Sequence, residues 1–237
     1  MPKSFAFSGC GWLSPFYLGV IEVMKRELWL TERSLVSGTS GGSLGAVLAV
    51  AEIDTKESLE AIIKFSRDKS FHSNIDVGLK KTLDDMLPSD IVEKCNGRLH
   101  VVTTKVWPSF ERKPVIINTF KNREHLLDTI AASCFIPFYS TSNKLFTSIR
   151  QNPNELYLDG GISAWMPPIG DIKCSPFPRE FTSMIGKRAP MICLPANAFP
   201  VRNLVGWILS PAPPNQLRNL YEMGKSEASI YIDNRSR

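Results

Sequence analysis

The sequence has few histidines, and none of them lies late in the chain. Of its 237 residues only His72, His100 and His125 are histidines. An α/β-hydrolase takes its general base from a histidine that follows both the nucleophile and the acid in the chain. The sequence therefore argues against a Ser-Asp-His order of catalytic residues. His100 falls in a strand pattern and His125 in a helix pattern, so both are interpreted as structural residues, with either one left open as a base.

The sequence also lacks paired cysteines and long apolar runs. Its five cysteines are scattered and include no Cys-x-x-Cys pair, which gives no support to a zinc site or a disulfide framework. A reducing compartment is the simpler expectation. The run from Leu204 to Leu209 is much shorter than the roughly 20 residues of a membrane-spanning helix, and the N-terminus lacks the apolar stretch of a signal peptide. We therefore expect a cytoplasmic protein that meets membranes or lipid droplets peripherally.

No run of five like charges occurs, although the chain is basic overall. The net charge is +5 and the isoelectric point is about 9.0, which suits an anionic surface of nucleic acid or acidic lipid headgroups. Without a dense cationic run, a nucleic-acid partner is not expected. The proportions of apolar and charged residues, 43% and 22%, are ordinary for a globular protein. One domain is predicted over 1–237, with a core at about 4–165 and a proline-rich and helical part at about 166–237.

Twice near the start of the chain, a predicted strand leads through glycines into a predicted helix. Ser4 to Ser8 is followed by a helix from about Pro15 to Leu28, and Ser34 to Val36 is followed by a helix from Leu44 to Ile53. Further segments are predicted as strands at Leu99 to Val106, Pro114 to Ile117 and Leu156 to Leu158, and as helices after Asp54, at Arg123 to Ser133 and at Gln216 to Ile230. This alternation indicates an α/β sheet with helices on both faces.

The second of these glycine turns carries a candidate nucleophile. Gly38-Thr39-Ser40-Gly41-Gly42 matches the G-x-S-x-G pattern of a nucleophile elbow, in the strand-to-helix context that the elbow needs. Glycines at Gly38, Gly41 and Gly42 avoid collisions in so sharp a turn. We expect Ser40 to be exposed at the start of the helix, where unpaired amides favour developing negative charge.

Asp159 is the candidate base for Ser40. It follows an apolar strand pattern and precedes Gly160 and Gly161, which is typical of a carboxylate at a strand end with space beside it. A carboxylate can take the serine proton if the two oxygens lie within about 2.6–3.2 Å, and burial would raise its basicity. The alternative is that Asp159-Gly160 is an ordinary turn.

Gly9-Cys10-Gly11, in the first glycine turn, is the candidate oxyanion hole. Acyl transfer needs fixed donors for the oxyanion, and the backbone amides of a glycine-rich loop can approach a substrate carbonyl closely. The alternative is a dinucleotide-binding turn, but the G-x-G-x-x-G pattern fails at its last position, Ser14.

These motifs, in this order, resemble the patatin-like phospholipase family, and especially its animal-type triglyceride lipase and adiponutrin branch. The resemblance is carried by residues 7–13, 38–42 and 159–161, and by the stretches 95–104 and 132–137. It implies a three-layer α/β/α hydrolase fold with a Ser-Asp dyad. In that reading Ser40 attacks an ester of a triacylglycerol or phospholipid, Asp159 is the general base, the glycine loop stabilises the oxyanion, and no cofactor is needed.

The resemblance has departures and leaves alternatives open. The usual last glycine of the first motif is Ser14, and the chain ends at Arg237 where relatives frequently continue, so droplet targeting is not implied and activity could depend on a protein co-activator. One alternative is a catalytically silent relative that binds lipid or membrane surfaces. Another is a lipid-docking module built on Trp12, Trp165, Trp207 and the Leu204 to Leu209 segment.

Overall fold

The computed structural model describes residues 3–68, 70, 74–109, 111–185 and 189–236. Its strands are β1 (Ser4–Phe7), β2 (Leu35–Thr39), β3 (Leu99–Trp107), β4 (Lys113–Ile117), β5 (Thr147–Ile149), β6 (Asn152–Leu158), β7 (Ile172–Ser175) and β8 (Ile192–Cys193). Its α-helices are α1 (Pro15–Arg26), α2 (Gly41–Ala51), α3 (Thr55–Arg67), α4 (Ile75–Met86), α5 (Ile91–Cys95), α6 (Arg123–Ser133), α7 (Arg179–Ile185), α8 (Val201–Leu209) and α9 (Pro214–Ser236).

The strands of the described ranges form one mixed, eight-stranded sheet flanked by helices. Parallel pairing joins β3, β2, β1, β7 and β8 in that order, whereas β4, β5 and β6 pair antiparallel. The long crossovers between the parallel strands carry helices, as parallel pairing requires. The predicted α/β class, with strands and helices alternating, is confirmed.

Strands β2 and β6 approach each other end to end along one edge of β3. Val102 pairs with Thr39 of β2 and also with β4, while Thr104 pairs with Leu158 of β6 and also with β4. Since β4 occupies one edge of β3, β2 and β6 must share the other. The carboxyl ends of β2 and β6 therefore meet opposite Thr103.

Helix α2 lies in the main core and runs away from this meeting point. All of its residues except Leu44 are buried, which suits its apolar sequence. Helices α1 and α9 pack closely beside it through glycines: a Cβ at Gly19 would collide with the Tyr221 carbonyl, and one at Gly224 with the Phe16 carbonyl. The C-terminal helix thus packs on the N-terminal half of the chain, and the single-domain assignment stays a prediction.

Several predicted boundaries differ from those observed. Strand β2 continues to Thr39 instead of ending at Val36, because its backbone pairs with both β1 and β3 through Gly38. Helix α2 begins at Gly41, three residues earlier than predicted, since close packing overrides the low helix propensity of glycine. The helix predicted after Asp54 is confirmed as α3, and Asp54 caps it, since its side chain accepts from the amides of Lys56 and Glu57.

None of the helices in the described ranges combines the length and the apolar character that a membrane-spanning helix needs.

Candidate active site

Ser40 occupies a sharp turn between β2 and α2. Its backbone has φ 52° and ψ −130°, a region that residues other than glycine rarely adopt. The turn brings the strand and the first helical residues so close that a Cβ at Gly38 would collide with the backbone of Gly42 and Ser43. A Cβ at Gly42 would collide in turn with the carbonyl of Phe7 on β1. The elbow glycines are therefore required by close packing.

Ser40 is buried, with 8% of its surface exposed, and the expectation of an exposed serine is wrong. The exposed position was inferred from the turn alone, whereas helices distant in the sequence pack around it. Ser40 instead borders an apolar cavity together with Gly11, Trp12 and Gly41. A substrate must reach the hydroxyl through that cavity.

Asp159 lies beside Ser40 at the end of β6. The Ser40 hydroxyl donates a hydrogen bond of 2.6 Å to Oδ2 of Asp159, within the reach that proton transfer needs. The other carboxylate oxygen, Oδ1, accepts a 2.7 Å bond from the amide of Gly161. Gly160 has no room for a side chain, since a Cβ there would collide with the Val102 carbonyl. The two glycines let the chain turn while one of them orients the carboxylate.

The Asp159 carboxyl group has a raised pKa. Burial raises it from 3.8 to about 6, although the hydrogen bonds from Ser40 and Gly161 act in the opposite direction. Asp159 is only 6% exposed, and it has no cation beside it to offset the burial. The group is thus more basic than an exposed aspartate and still ionised at neutral pH.

Two further polar side chains fix the dyad, and the sequence analysis did not assign them a role. The hydroxyl of Ser133, on α6, accepts from the amide of Ser40 at 2.9 Å and donates to the Val102 carbonyl at 2.6 Å. The hydroxyl of Thr104, on β3, donates to the backbone carbonyl of Asp159 at 2.7 Å. The stretch containing Ser133 matched the resembled family, which was the available signal. Thr104 ends the other such stretch, 95–104, and also falls in a predicted strand.

The glycine loop after β1 packs against the start of α2. A Cβ at Gly41 would collide with Gly11 and with the sulfur of Cys10, so loop and elbow are in direct contact. The amide of Gly9 donates to the carbonyl of Trp165 at 2.8 Å, which removes it from the predicted set of oxyanion donors. Within the described residues the amides of Cys10 and Gly11 have no acceptor. These two amides remain as candidate donors.

The apolar cavity beside Ser40 extends between helices α2, α3 and α4. Its empty space, including the open solvent at its mouth, is about 810 Å³. Leu44 and Leu48 line it from the same face of α2 as Ser40, because residues four apart share a helix face. The opposite walls carry Leu, Ile, Met and Phe side chains from α3 and α4, and Ile208 of α8 closes one side. Such a lining suits a hydrocarbon chain.

The two histidines that the structure describes do not reach this site. His100 is buried beside Asn118, with its ring nitrogens near the Arg98 carbonyl and the Asn118 amide. His125, on α6, accepts a hydrogen bond from the amide of Lys121. His72 lies outside the described residues. Among the residues the structure describes, no group of three or more His, Cys, Asp or Glu side chains could hold a metal ion.

The tryptophans singled out in the sequence lie in three different settings. Trp12 lines the cavity and donates to the Tyr139 hydroxyl at 2.8 Å, and Trp165 packs over Gly9 and Gly161. Trp207, on α8, packs edge-on against Phe199. All three are partly buried, and two of them border the candidate active site.

Comparisons with known proteins agree with this architecture. A model of the patatin-like phospholipase family matches residues 5–169. The 1-acylglycerol-3-phosphate O-acyltransferase PNPLA3 of Homo sapiens is 26% identical over 192 residues, which are 75% of this chain and 38% of that protein. The patatin-like phospholipase domain-containing protein 2 of Mus musculus is 27% identical over 236 residues, 94% of this chain and 45% of that one. The chain therefore spans less than half the length of either relative.

A solved structure shares the fold. The crystal structure of VipD from Legionella pneumophila matches with a TM-score of 0.60 and 13% sequence identity, and the match covers 98% of this chain and 67% of that chain. At that identity the likeness concerns the fold alone.

Proposed function

Because the chain belongs to the patatin-like phospholipase family, we propose that it cleaves carboxylic ester bonds of triacylglycerols or phospholipids through a Ser40 acyl-enzyme, with Asp159 as general base. The observation that carries the proposal is the 2.6 Å hydrogen bond from Ser40 to the buried Asp159 carboxylate. No histidine of the described residues reaches Ser40, so Asp159 is the remaining candidate for the general base.

In the first half of the reaction, the Ser40 oxygen attacks the ester carbonyl while its proton passes to Oδ2 of Asp159. Negative charge develops on the carbonyl oxygen, and the amides of Cys10 and Gly11 stabilise it. The intermediate collapses, the protonated Asp159 returns the proton to the departing alcohol oxygen, and the acyl group remains on Ser40. The amide of Gly161 holds the other carboxylate oxygen throughout.

In the second half, water takes the place of the alcohol. Asp159 accepts a proton from the water as it attacks the acyl carbonyl, and the Ser40 oxygen leaves and recovers that proton. The products are a fatty acid and the alcohol, with the enzyme unchanged. Asp159 gains and loses one proton in each half of the reaction, and no other residue changes its charge.

The acyl-enzyme can also pass its acyl group to an alcohol, and the names of relatives make this a specific alternative. One relative is named as an O-acyltransferase that acts on 1-acylglycerol 3-phosphate. Hydrolysis and transfer share every step up to the acyl-enzyme. We favour hydrolysis for this chain, and adding an acyl acceptor to the assay distinguishes the two.

A lipid surface is the proposed setting for the reaction. Exposed apolar side chains occur close in sequence to residues of the cavity and of the dyad; we call Phe138, Ile162, Val205 and Leu209 the mouth surface. Phe138 lies between the cavity residues Ile136 and Tyr139, and Leu209 follows Ile208. We propose that the mouth surface is continuous with the apolar cavity, as transfer of an acyl chain from a lipid layer requires.

Charge around the mouth surface favours the same partner. Residues 135–149, 160–170 and 196–213 contain no Asp or Glu, and their cations are Lys144 and Arg202. These segments thus carry cations and no carboxylates, which suits an anionic lipid layer, although Asp68 shares a surface pocket with Leu209. We therefore propose a cytoplasmic protein that associates peripherally with membranes or lipid droplets, with a protein co-activator as a further proposed partner.

Hydrolysis assays test the catalytic proposal directly. Wild type should release fatty acid from dispersed triacylglycerol or phospholipid, and Ser40→Ala and Asp159→Asn should each lose activity by about a thousandfold or more. The matched controls Ser66→Ala and Asp233→Asn, which lie outside the site, should retain it. An inactive but folded wild type that still binds vesicles would favour the catalytically silent alternative.

Vesicle binding tests the mouth surface separately from catalysis. In the Ser40→Ala background, Val205→Ser and Leu209→Ser should weaken flotation with anionic vesicles. Ile230→Ser should not, because Ile230 is as exposed as Leu209 but lies on α9 and does not line the cavity. Equal flotation of all variants would overturn the mouth surface and leave the catalytic proposal intact.

A further inference from the structure

A second cavity lies at the opposite end of β2 from Ser40. It is formed by the segment before β2, by the end of α1 with Lys25, by the end of α2 with Glu52, and by Arg98 before β3. Its empty space, including the open solvent at its mouth, is about 950 Å³. The length of β2 separates it from Ser40 by about 17 Å, so it is not part of the acyl cavity.

Arg98 has unused hydrogen-bonding capacity in this cavity. A guanidinium group carries five N–H donors. The Arg98 side chain donates one hydrogen bond, from Nη2 to the Thr31 carbonyl at 3.2 Å, and its Nε is buried without a partner in the described structure. A ligand in the cavity cannot reach the buried Nε, so the donors left for it are Nη1, which has no partner among the described residues, and the second N–H of Nη2.

Lys25 places a second cation in the same cavity. Its side chain is partly buried, and within the described residues its ammonium group makes no hydrogen bond and no ion pair. Burial lowers the pKa of Lys25; the Glu52 carboxylate acts against this shift, and the charges of Arg98 and Lys94 lower the pKa further. Two cations are thus held near each other with incomplete neutralisation.

The acidic residues of the cavity neutralise this pair only in part. Glu52 lies 4.0 Å from Lys94, which also pairs with Asp90. Glu32 is exposed at the rim, where Arg33 is exposed beside it. The lining therefore keeps a net positive charge, with Lys25, Arg33 and Arg98 against Glu32 and Glu52.

We propose that this cavity binds a phosphate monoester, with the two Nη groups of the Arg98 guanidinium donating to two phosphate oxygens and Lys25 supplying the second positive charge. Arginine recognises phosphate in this forked manner, and a dianion balances two cations. The phosphate belongs either to a small soluble metabolite or to a lipid headgroup. Binding here is independent of the proposed catalysis.

Calorimetric titration of the full chain with glycerol 3-phosphate tests the site. Wild type should bind saturably, and Arg98→Gln and Lys25→Gln should each weaken binding by about tenfold or more, as expected for loss of a charged hydrogen bond. The control is Arg26→Gln, which makes the same charge change at the neighbouring residue, where Arg26 pairs with Glu27 outside the cavity. Arg98→Lys, which keeps the charge and loses the fork, should bind more weakly than wild type.

Vesicles distinguish the two sources of phosphate. If the ligand is a headgroup, vesicles with phosphatidic acid should bind wild type more tightly than Lys25→Gln, and glycerol 3-phosphate should compete. If it is a soluble metabolite, the titration should respond to the variants and the vesicles should not. No saturable binding to either probe, or equal binding by wild type, Lys25→Gln and Arg98→Lys, would overturn the proposal. None of these readouts depends on Ser40. A negative result would therefore overturn the phosphate site and leave the proposed hydrolase activity untouched.

Discussion

The hydroxyl of Ser40 and the carboxylate of Asp159 are 2.6 Å apart although 119 positions separate them in the chain. Their proximity follows from strand register. Thr39 pairs with Val102 and Leu158 pairs with Thr104 on one edge of β3, so the residues that follow both strands converge on the single position between. The geometry of the candidate dyad is thus set by a third strand that contributes neither group.

The raised pKa of Asp159 predicts a pH-dependent rate. A general base must be ionised, and the Asp159 pKa is about 6. With a soluble, uncharged ester, kcat/KM should be level above about pH 7 and fall about tenfold per pH unit below pH 6. A rate that stays level down to pH 5, in protein shown by circular dichroism to remain folded, would contradict the role of Asp159 as base.

The same burial predicts that the Asp159 charge destabilises the fold. An acid with a raised pKa in the folded protein binds its proton more tightly there than in the unfolded chain. Stability therefore falls as pH rises from 3.8 to about 6, and the loss is complete above that range. Removing the charge by Asp159→Asn should raise the free energy of unfolding at pH 7.5 by on the order of 2 kcal/mol.

Urea unfolding at two pH values measures this effect. The gain of Asp159→Asn over wild type should be present at pH 7.5 and should vanish near pH 3, where the wild-type carboxyl is mostly protonated in both states. Asp233→Asn, on the last helix, is the matched control and should change little at either pH. An Asp159→Asn protein less stable than wild type at pH 7.5 would show that its hydrogen bonds outweigh the burial of its charge.

Leu48 should limit the length of the acyl chain. It lies on the same face of α2 as Ser40, eight residues and about 12 Å farther along the helix, and it lines the cavity. Leu48→Phe should lower kcat/KM for long-chain esters while leaving short-chain esters nearly unchanged. Val77→Phe, on an exposed position of α4, is the control. Equal losses for short and long esters would mean that the acyl chain does not extend past Leu48.

The parts of the site that depend on local sequence could be predicted, and those that depend on packing could not. The sharp turn around Ser40 depends on its neighbouring residues alone, so the spacing of the glycines predicts it. The occupied amide of Gly9 and the bonds from Ser133 and Thr104 depend on side chains brought together by tertiary structure. Burial of Ser40 likewise comes from helices remote in the chain, so a local pattern gave the wrong exposure.

For the fold as well, features of single segments could be predicted and features of packing could not. The α/β class was predictable from alternating apolar patterns, because each pattern is a property of one segment. The shared edge of β3 was not, since it depends on the register of three strands with long intervals between them.

Covalent labelling of Ser40 tests the central claim most directly. Wild type, Ser40→Ala and Asp159→Asn would each be treated with an alkyl fluorophosphonate and weighed intact by mass spectrometry. We expect one adduct on wild type at Ser40, none on Ser40→Ala, and a labelling rate reduced by about a hundredfold or more on Asp159→Asn, because an alcohol needs its base to react. Labelling of Asp159→Asn at the wild-type rate, or no labelling of folded wild type, would contradict a Ser40 nucleophile activated by Asp159.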